Sequence, residues 1–158
     1  MLQSPFHRLL ALAAWLLLCF AAASLGALFT PGEWYAALQK PSWNPPAWLF
    51  GPVWTLLYTL MAVAAWLVWQ EGGWAKQTRP LLMFCLQLAL NALWTPLFFG
   101  LHRPGLAFAE MVLLWLAIVA TLVLFARVRR LAAWLLAPYL LWVSFAAYLN
   151  FALWRLNT

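Results

Sequence analysis

The sequence predicts an all-α membrane protein: a bundle of five transmembrane helices with a short helix in the first extramembrane loop, organised as a single domain over residues 1–158. Three observations predict it. The chain is 68% hydrophobic and only 8% charged, with a mean hydropathy of +0.88, a balance foreign to soluble domains. Uncharged apolar runs of about 18 residues or more, long enough to cross a bilayer as a helix, recur along it. All nine Lys and Arg residues lie at or beyond the ends of those runs. The net charge of +6 therefore orients a membrane protein and forms no basic face that could follow a nucleic-acid backbone.

The first span covers about residues 9–29, behind His7 and Arg8. A signal peptide with Ala21-Ala22-Ala23 as cleavage region is the rival reading, but the apolar run continues from Leu25 to Phe29 and is long enough to span. Ala22 and Gly26, four apart, offer a small-residue face that another helix can approach. Thr30-Pro31-Gly32-Glu33 then has capping-box spacing with proline at the first helical position. It predicts a short helix through Trp34, Tyr35 and Leu38 that ends before Pro41.

The stretch from Trp34 to Trp54 holds four tryptophans and four prolines. Lys40-Pro41 and Asn44-Pro45-Pro46 bias the backbone toward extended and polyproline conformations. Stiff and aromatic, this segment reads as a lid, the alternative being an aromatic belt at the headgroup level. The second span covers about residues 47–69, with Pro52 either in its first turns or at a kink, and Trp54, Tyr58, Met61 and Ala65 at helical spacing on one face.

Glu71, Gly72, Gly73, Lys76 and Arg79 mark residues 70–79 as a polar loop. Pro80 opens the third span, about 80–99, where Gln87, Asn91 and Thr95 follow at intervals of four with Trp94 beside them. Amides are costly in lipid, so this face should meet other helices or a cavity. Pro96 frees the carbonyl of Ala92. The fourth span, about 106–126, contains Glu110, the sole acid inside any span, which is expected to pair with Arg103 at the interface. The fifth, about 131–154, places Trp142, Ala146 and Asn150 on one face.

Five crossings put the termini on opposite sides. Arg8, Lys76, Arg79, Arg127, Arg129 and Arg130 lie with the N-terminus, against Lys40, Arg103 and Arg155 on the other side. That bias favours a cytoplasmic N-terminus in a plasma membrane and turns the aromatic loop away from the cytoplasm. The polar and aromatic faces all converge on the loop side, which describes a pocket open at one end, suited to a flat, largely apolar ligand with a few polar edges. Two histidines near span ends and no carboxylate cluster support neither a metal site nor an axially ligated haem, and no cofactor is expected. No Ser-His-acid set, phosphate loop or chain of intramembrane carboxylates is present in the sequence.

At WYAALQKPSWNPP, GPVWTLLY, QLALNALWTPLFFG and PYLLWVSFAAYLNFALWRLN the sequence resembles the TspO/MBR family, the translocator proteins once called peripheral benzodiazepine receptors. The resemblance covers nearly the whole chain. It implies a multi-pass membrane bundle, commonly a homodimer, that binds porphyrins such as protoporphyrin IX and, in animals, cholesterol and isoquinoline carboxamides. Matching motif positions imply a ligand site of Tyr35, Trp54, Asn91, Trp94, Trp142 and Ala146. Some bacterial members are associated with light-dependent porphyrin breakdown, for which Trp54 and Trp142 stand at the candidate catalytic positions. Receptor or carrier, photo-oxidative enzyme and transporter are thus the three expectations. One departure bears on sterols: the cholesterol-recognition segment needs a tyrosine where this chain has Phe151, and Tyr148 lies one residue too far from Arg155. The short ends suit a bacterial envelope protein, of inner or outer membrane.

Overall fold

A computed structural model describes residues 4–158. Helix α1 spans Pro5–Ala27, α2 Glu33–Ala37, α3 Ala47–Trp69, α4 Gly73–Thr95, α5 Pro104–Val128 and α6 Arg130–Leu156. Five of the six are long and apolar enough to cross a membrane, and α2 is the short helix of the first loop. The protein is an integral, multi-pass membrane protein.

The helix limits follow local chemistry. Helix α1 begins earlier than its apolar run suggests, because Ser4 is a true N-cap: its Oγ accepts the His7 N–H at 3.4 Å, and Pro5 occupies the first turn. The capping box expected at Thr30 does not form. Gly32 is the N-cap of α2, without a side-chain bond, and the helix starts at Glu33 and closes at Ala37, with Leu38 already extended. Thr30 and Pro31 instead border the internal cavity described below.

The expected polar loop over residues 70–79 is largely helical. Gly72 and Gly73 turn the chain with φ of +121° and +64°, left-handed values that favour glycine. Helix α4 starts at once, breaks at Gln77 (φ −113°, ψ 26°) and resumes, so Pro80 lies in the first turn of its long segment. At the other end Pro96 supplies no N–H to Ala92, and the helix widens into one π-turn, Pro96–Gly100, closed by the Leu101 N–H to Pro96 O at 2.9 Å.

In the bundle α1 packs on α3 and α4, α3 on α6, α6 on α5, and α5 on α4. These contacts close a ring in the order α1, α3, α6, α5, α4. Between helices in lipid, close packing takes over from the hydrophobic effect, and small residues permit it. Ala62, Ala64, Ala65 and Ala132 are wholly buried. Gly26 also contributes: a Cβ there would stand 3.3 Å from Thr95 Oγ1, so the small face of Ala22 and Gly26 admits α4 of the same chain.

Contacts at each end confirm which connectors share a side. Trp66 Nε1 donates to Arg8 O at 2.9 Å, and Arg129 meets Glu71 at 3.5 Å across the two connectors beside the N-terminus. At the opposite end Trp34 stacks on His102 at 4.4 Å, and Asn157 bonds to Gln39. Glu110 does not pair with Arg103. It lies at 6% exposure on the buried stripe of α5, and neither carboxylate oxygen has a hydrogen-bond partner among the described residues. The helix carries it inward, about two turns below the N-terminus where Arg103 remains exposed.

Candidate functional site

The ring of helices encloses a cavity of about 890 Å³ beneath the first loop. That volume falls in the upper part of the roughly 300–1,000 Å³ range that holds organic ligands and cofactors. All six residues expected at a ligand site border it. Tyr35 reaches it from α2, Trp54 from α3, Asn91 and Trp94 from α4, and Trp142 and Ala146 from α6. Phe20 and Gly26 of α1 and Met111 and Leu114 of α5 complete the wall, and Lys40, Asn44 and Pro45 close the roof.

Helical spacing explains why these side chains converge. Trp142 and Ala146 are one turn apart on α6, as are Asn91 and Thr95 on α4. The π-turn after Thr95 adds Phe98 and Phe99 to the wall, with Phe98 stacked on Trp94 at 4.9 Å. On α3, Trp54 leans against Tyr58 at 5.5 Å.

The floor is a buried chain of hydrogen bonds. Tyr58 OH donates to Asn91 Oδ1 at 2.5 Å, Asn91 Nδ2 to Tyr139 OH at 2.9 Å, and Tyr139 OH to Gln87 Oε1 at 2.8 Å. The amide face predicted on α4 therefore does meet other helices, and Asn91 is engaged by two tyrosines. A second set ties the wall together: Trp94 Nε1 donates to Asn150 Oδ1 at 2.9 Å, and Asn150 Nδ2 to Pro104 O at 2.8 Å. Trp94 thus presents its ring to the cavity while its N–H is spent. Two lining groups keep unused capacity. The Trp142 indole N–H and the Asn44 Oδ1 are buried and have no partner among the described residues. One is a donor and the other an acceptor.

Tyr139, Asn44 and Lys40 were missed by reasoning from sequence. Tyr139 is visible only as a tyrosine within a span. Lys40 had a signal, a cation just past a helix C-terminus. Its Nζ donates to the carbonyls of Tyr35, Ala36 and Leu38 at 2.7, 3.2 and 3.1 Å and stands 4.7 Å over the Tyr35 ring. Burial pushes the Tyr35 phenol above its ordinary value, with the neighbouring Asn44 amide opposing in part. It faces the cavity as a neutral hydroxyl.

The TspO/MBR family profile matches residues 15–155. The chain belongs to the TspO/MBR family. Among its relatives is the tryptophan-rich protein TspO of Chlorobaculum tepidum, 46% identical over 155 residues, which span 95% of this chain and 98% of that one. The translocator protein of Homo sapiens is 47% identical over 138 residues, 84% of this chain and 82% of the human one. A tryptophan-rich sensory protein of Cereibacter sphaeroides is 45% identical over 139 residues, 88% and 86% of the two chains. The family match takes in the loop, the cavity wall and all of the floor residues, so the site belongs to the shared part of the TspO/MBR fold.

Proposed function

We propose that this TspO/MBR protein is a membrane tetrapyrrole-binding protein, a receptor or carrier that holds a porphyrin such as protoporphyrin IX in the cavity beneath the first loop. One observation carries the reading. An apolar chamber of about 890 Å³ is walled by Trp54, Trp94 and Trp142 and retains one buried donor and one buried acceptor without a partner among the described residues. Flat aromatic walls suit the face of a macrocycle, and the Trp142 N–H and Asn44 carbonyl suit its polar edge. Isoquinoline carboxamides, aromatic with an amide edge, fit the same description. The names sensory protein and translocator protein borne by relatives accord with a binding or carrying role. We place the protein in a bacterial cell envelope, as a homodimer in the bilayer.

A second reading is favoured by the position of Trp54 and Trp142 on the cavity wall, Trp142 with its N–H unused. Both would flank a bound porphyrin, where light-excited pigment and dioxygen as oxidant would make the protein a porphyrin-degrading enzyme. Transport of the ligand is a third, less supported by a cavity with a closed floor.

The test is titration of the detergent-solubilised protein with protoporphyrin IX in the dark, followed by tryptophan quenching and then by absorbance under illumination. Saturable quenching with a light-stable spectrum supports the receptor or carrier. Quenching followed by light- and oxygen-dependent loss of the porphyrin band, abolished in Trp142→Phe while binding persists, supports the enzyme. Absence of saturable quenching in the wild type overturns the tetrapyrrole reading.

A further inference from the structure

The loop over the cavity is fastened from outside, and one side chain from the far end of the sequence makes the fastening. Gln39 N–H donates to Asn157 Oδ1 at 2.9 Å, and Asn157 Nδ2 donates back to Gln39 O at 3.0 Å. The same Nδ2 donates to Leu153 O at 2.7 Å, in the last turn of α6, which fixes the direction of the amide. Only a carboxamide side chain offers an acceptor and a two-proton donor side by side, so the pairing with one backbone residue is specific.

Gln39 is well placed to be held. Just before it, α2 carries Tyr35 to the cavity; just after it, the Lys40 ammonium gathers the carbonyls of Tyr35, Ala36 and Leu38, so that this part of the loop is tied into one unit. Two ring stacks assist, Trp34 on His102 at 4.4 Å and Trp43 on Tyr148 at 5.0 Å. Neither Gln39 nor Asn157 borders the cavity, and nor do the four stacked rings. Prolines at 41, 45 and 46 stiffen the segment that follows, which favours hinged movement over local fraying.

We infer that Asn157 is the latch of this lid, a positioning residue that sets how fast the cavity exchanges its contents without forming any of its wall. The inference rests on the reading of the cavity as the ligand site and extends it to kinetics. If entry and exit both need the lid open, weakening the latch raises both rates by one factor and leaves Kd unchanged, so long as the lid stays mostly closed. Loss of a wall contact would instead raise Kd.

The experiment has two readouts on the full-length protein. In a Cys19→Ala, Cys85→Ala background, Ala146→Cys places a thiol on the cavity wall, and its maleimide labelling without ligand measures lid opening. Protoporphyrin IX association and release are followed by stopped-flow quenching in the otherwise unaltered chain. Asn157→Leu is expected to speed labelling, association and release each by about tenfold, the scale that two neutral hydrogen bonds support. Asn157→Asp keeps the acceptor for Gln39 N–H, loses the donors and should fall between. Thr158→Ala removes the neighbouring bond to Trp154 O without touching the lid and should match the wild type. Wild-type labelling rates in both Asn157 variants overturn the latch, as does an equal acceleration in Thr158→Ala, which would mean fraying of α6. Faster labelling of a cavity that takes no porphyrin supports the latch and overturns the tetrapyrrole reading alone.

Discussion

Tyr139, which no motif singled out, carries as many of the buried hydrogen bonds under the site as Asn91 does. Its hydroxyl receives from Asn91 and gives to Gln87, joining two amides of α4 to α6 at full burial. Interhelical hydrogen bonds in bilayers are modest, about 0.6 kcal/mol on average. Stranding Asn91 Nδ2 and Gln87 Oε1 together costs more than losing either bond alone. Tyr139→Phe should therefore destabilise the protein by about 1–3 kcal/mol, read as a fall in the thermal midpoint in detergent. Tyr58→Phe, which leaves Asn91 its bond to Tyr139, should cost less. An equal or smaller loss in Tyr139→Phe would show that the chain does not act as a unit. The spacing of Gln87, Asn91 and Thr95 made their shared face legible, because period is a property of one helix. Their partners were not legible, since pairing depends on the register between helices, which a single sequence does not state. For the same reason the Arg103–Glu110 pair failed: closeness in sequence said nothing of the rotation that buries Glu110 on the inward stripe of α5.

Some helices of this fold meet closely where a side chain is missing, and the glycines show which. At Gly105, in the first turn of α5, a Cβ would stand 2.9 Å from the ring of Trp154 on α6. Gly51, inside α3, has nothing within 4 Å of the same position. Gly105→Ala should cost about 1–3 kcal/mol through overpacking. Gly51→Ala should stabilise by up to about 1 kcal/mol, because alanine has the higher helix propensity and meets no obstacle. Opposite shifts of the thermal midpoint would confirm that the α5–α6 crossing is set by Trp154. Equal shifts would refute it. The long elements were readable from apolar length, and α3 keeps its expected limits at Ala47 and Trp69. The short ones were less so. The Thr30 capping box had the right letters but lost to Gly32, and the polar connector before Pro80 turned into helix because Gly72 and Gly73 complete the reversal in two residues.

Across the whole molecule, charge and architecture point the same way. Six of the nine basic residues lie at the end where Arg129 meets Glu71, and three at the end where the loop, the α4–α5 connector and the last turn of α6 gather over the cavity. Arginine and lysine are retained on the cytoplasmic side during insertion, so the lidded end should face away from the cytoplasm. In a bacterial plasma membrane that would give ligand access from the outer side and leave the hydrogen-bonded floor toward the interior. Single cysteines test it, again without Cys19 and Cys85: Ser42→Cys on the exposed part of the loop and Thr78→Cys on the exposed connector at the other end. In spheroplasts an impermeant maleimide should label Cys at 42 directly and Cys at 78 only after lysis. The reverse pattern would place the lid in the cytoplasm, and a cavity loaded from there would draw on a different pool of ligand. Labelling of both in intact spheroplasts would mean dual insertion, which the excess of bases at one end opposes because only one orientation keeps six cations on the cytoplasmic face.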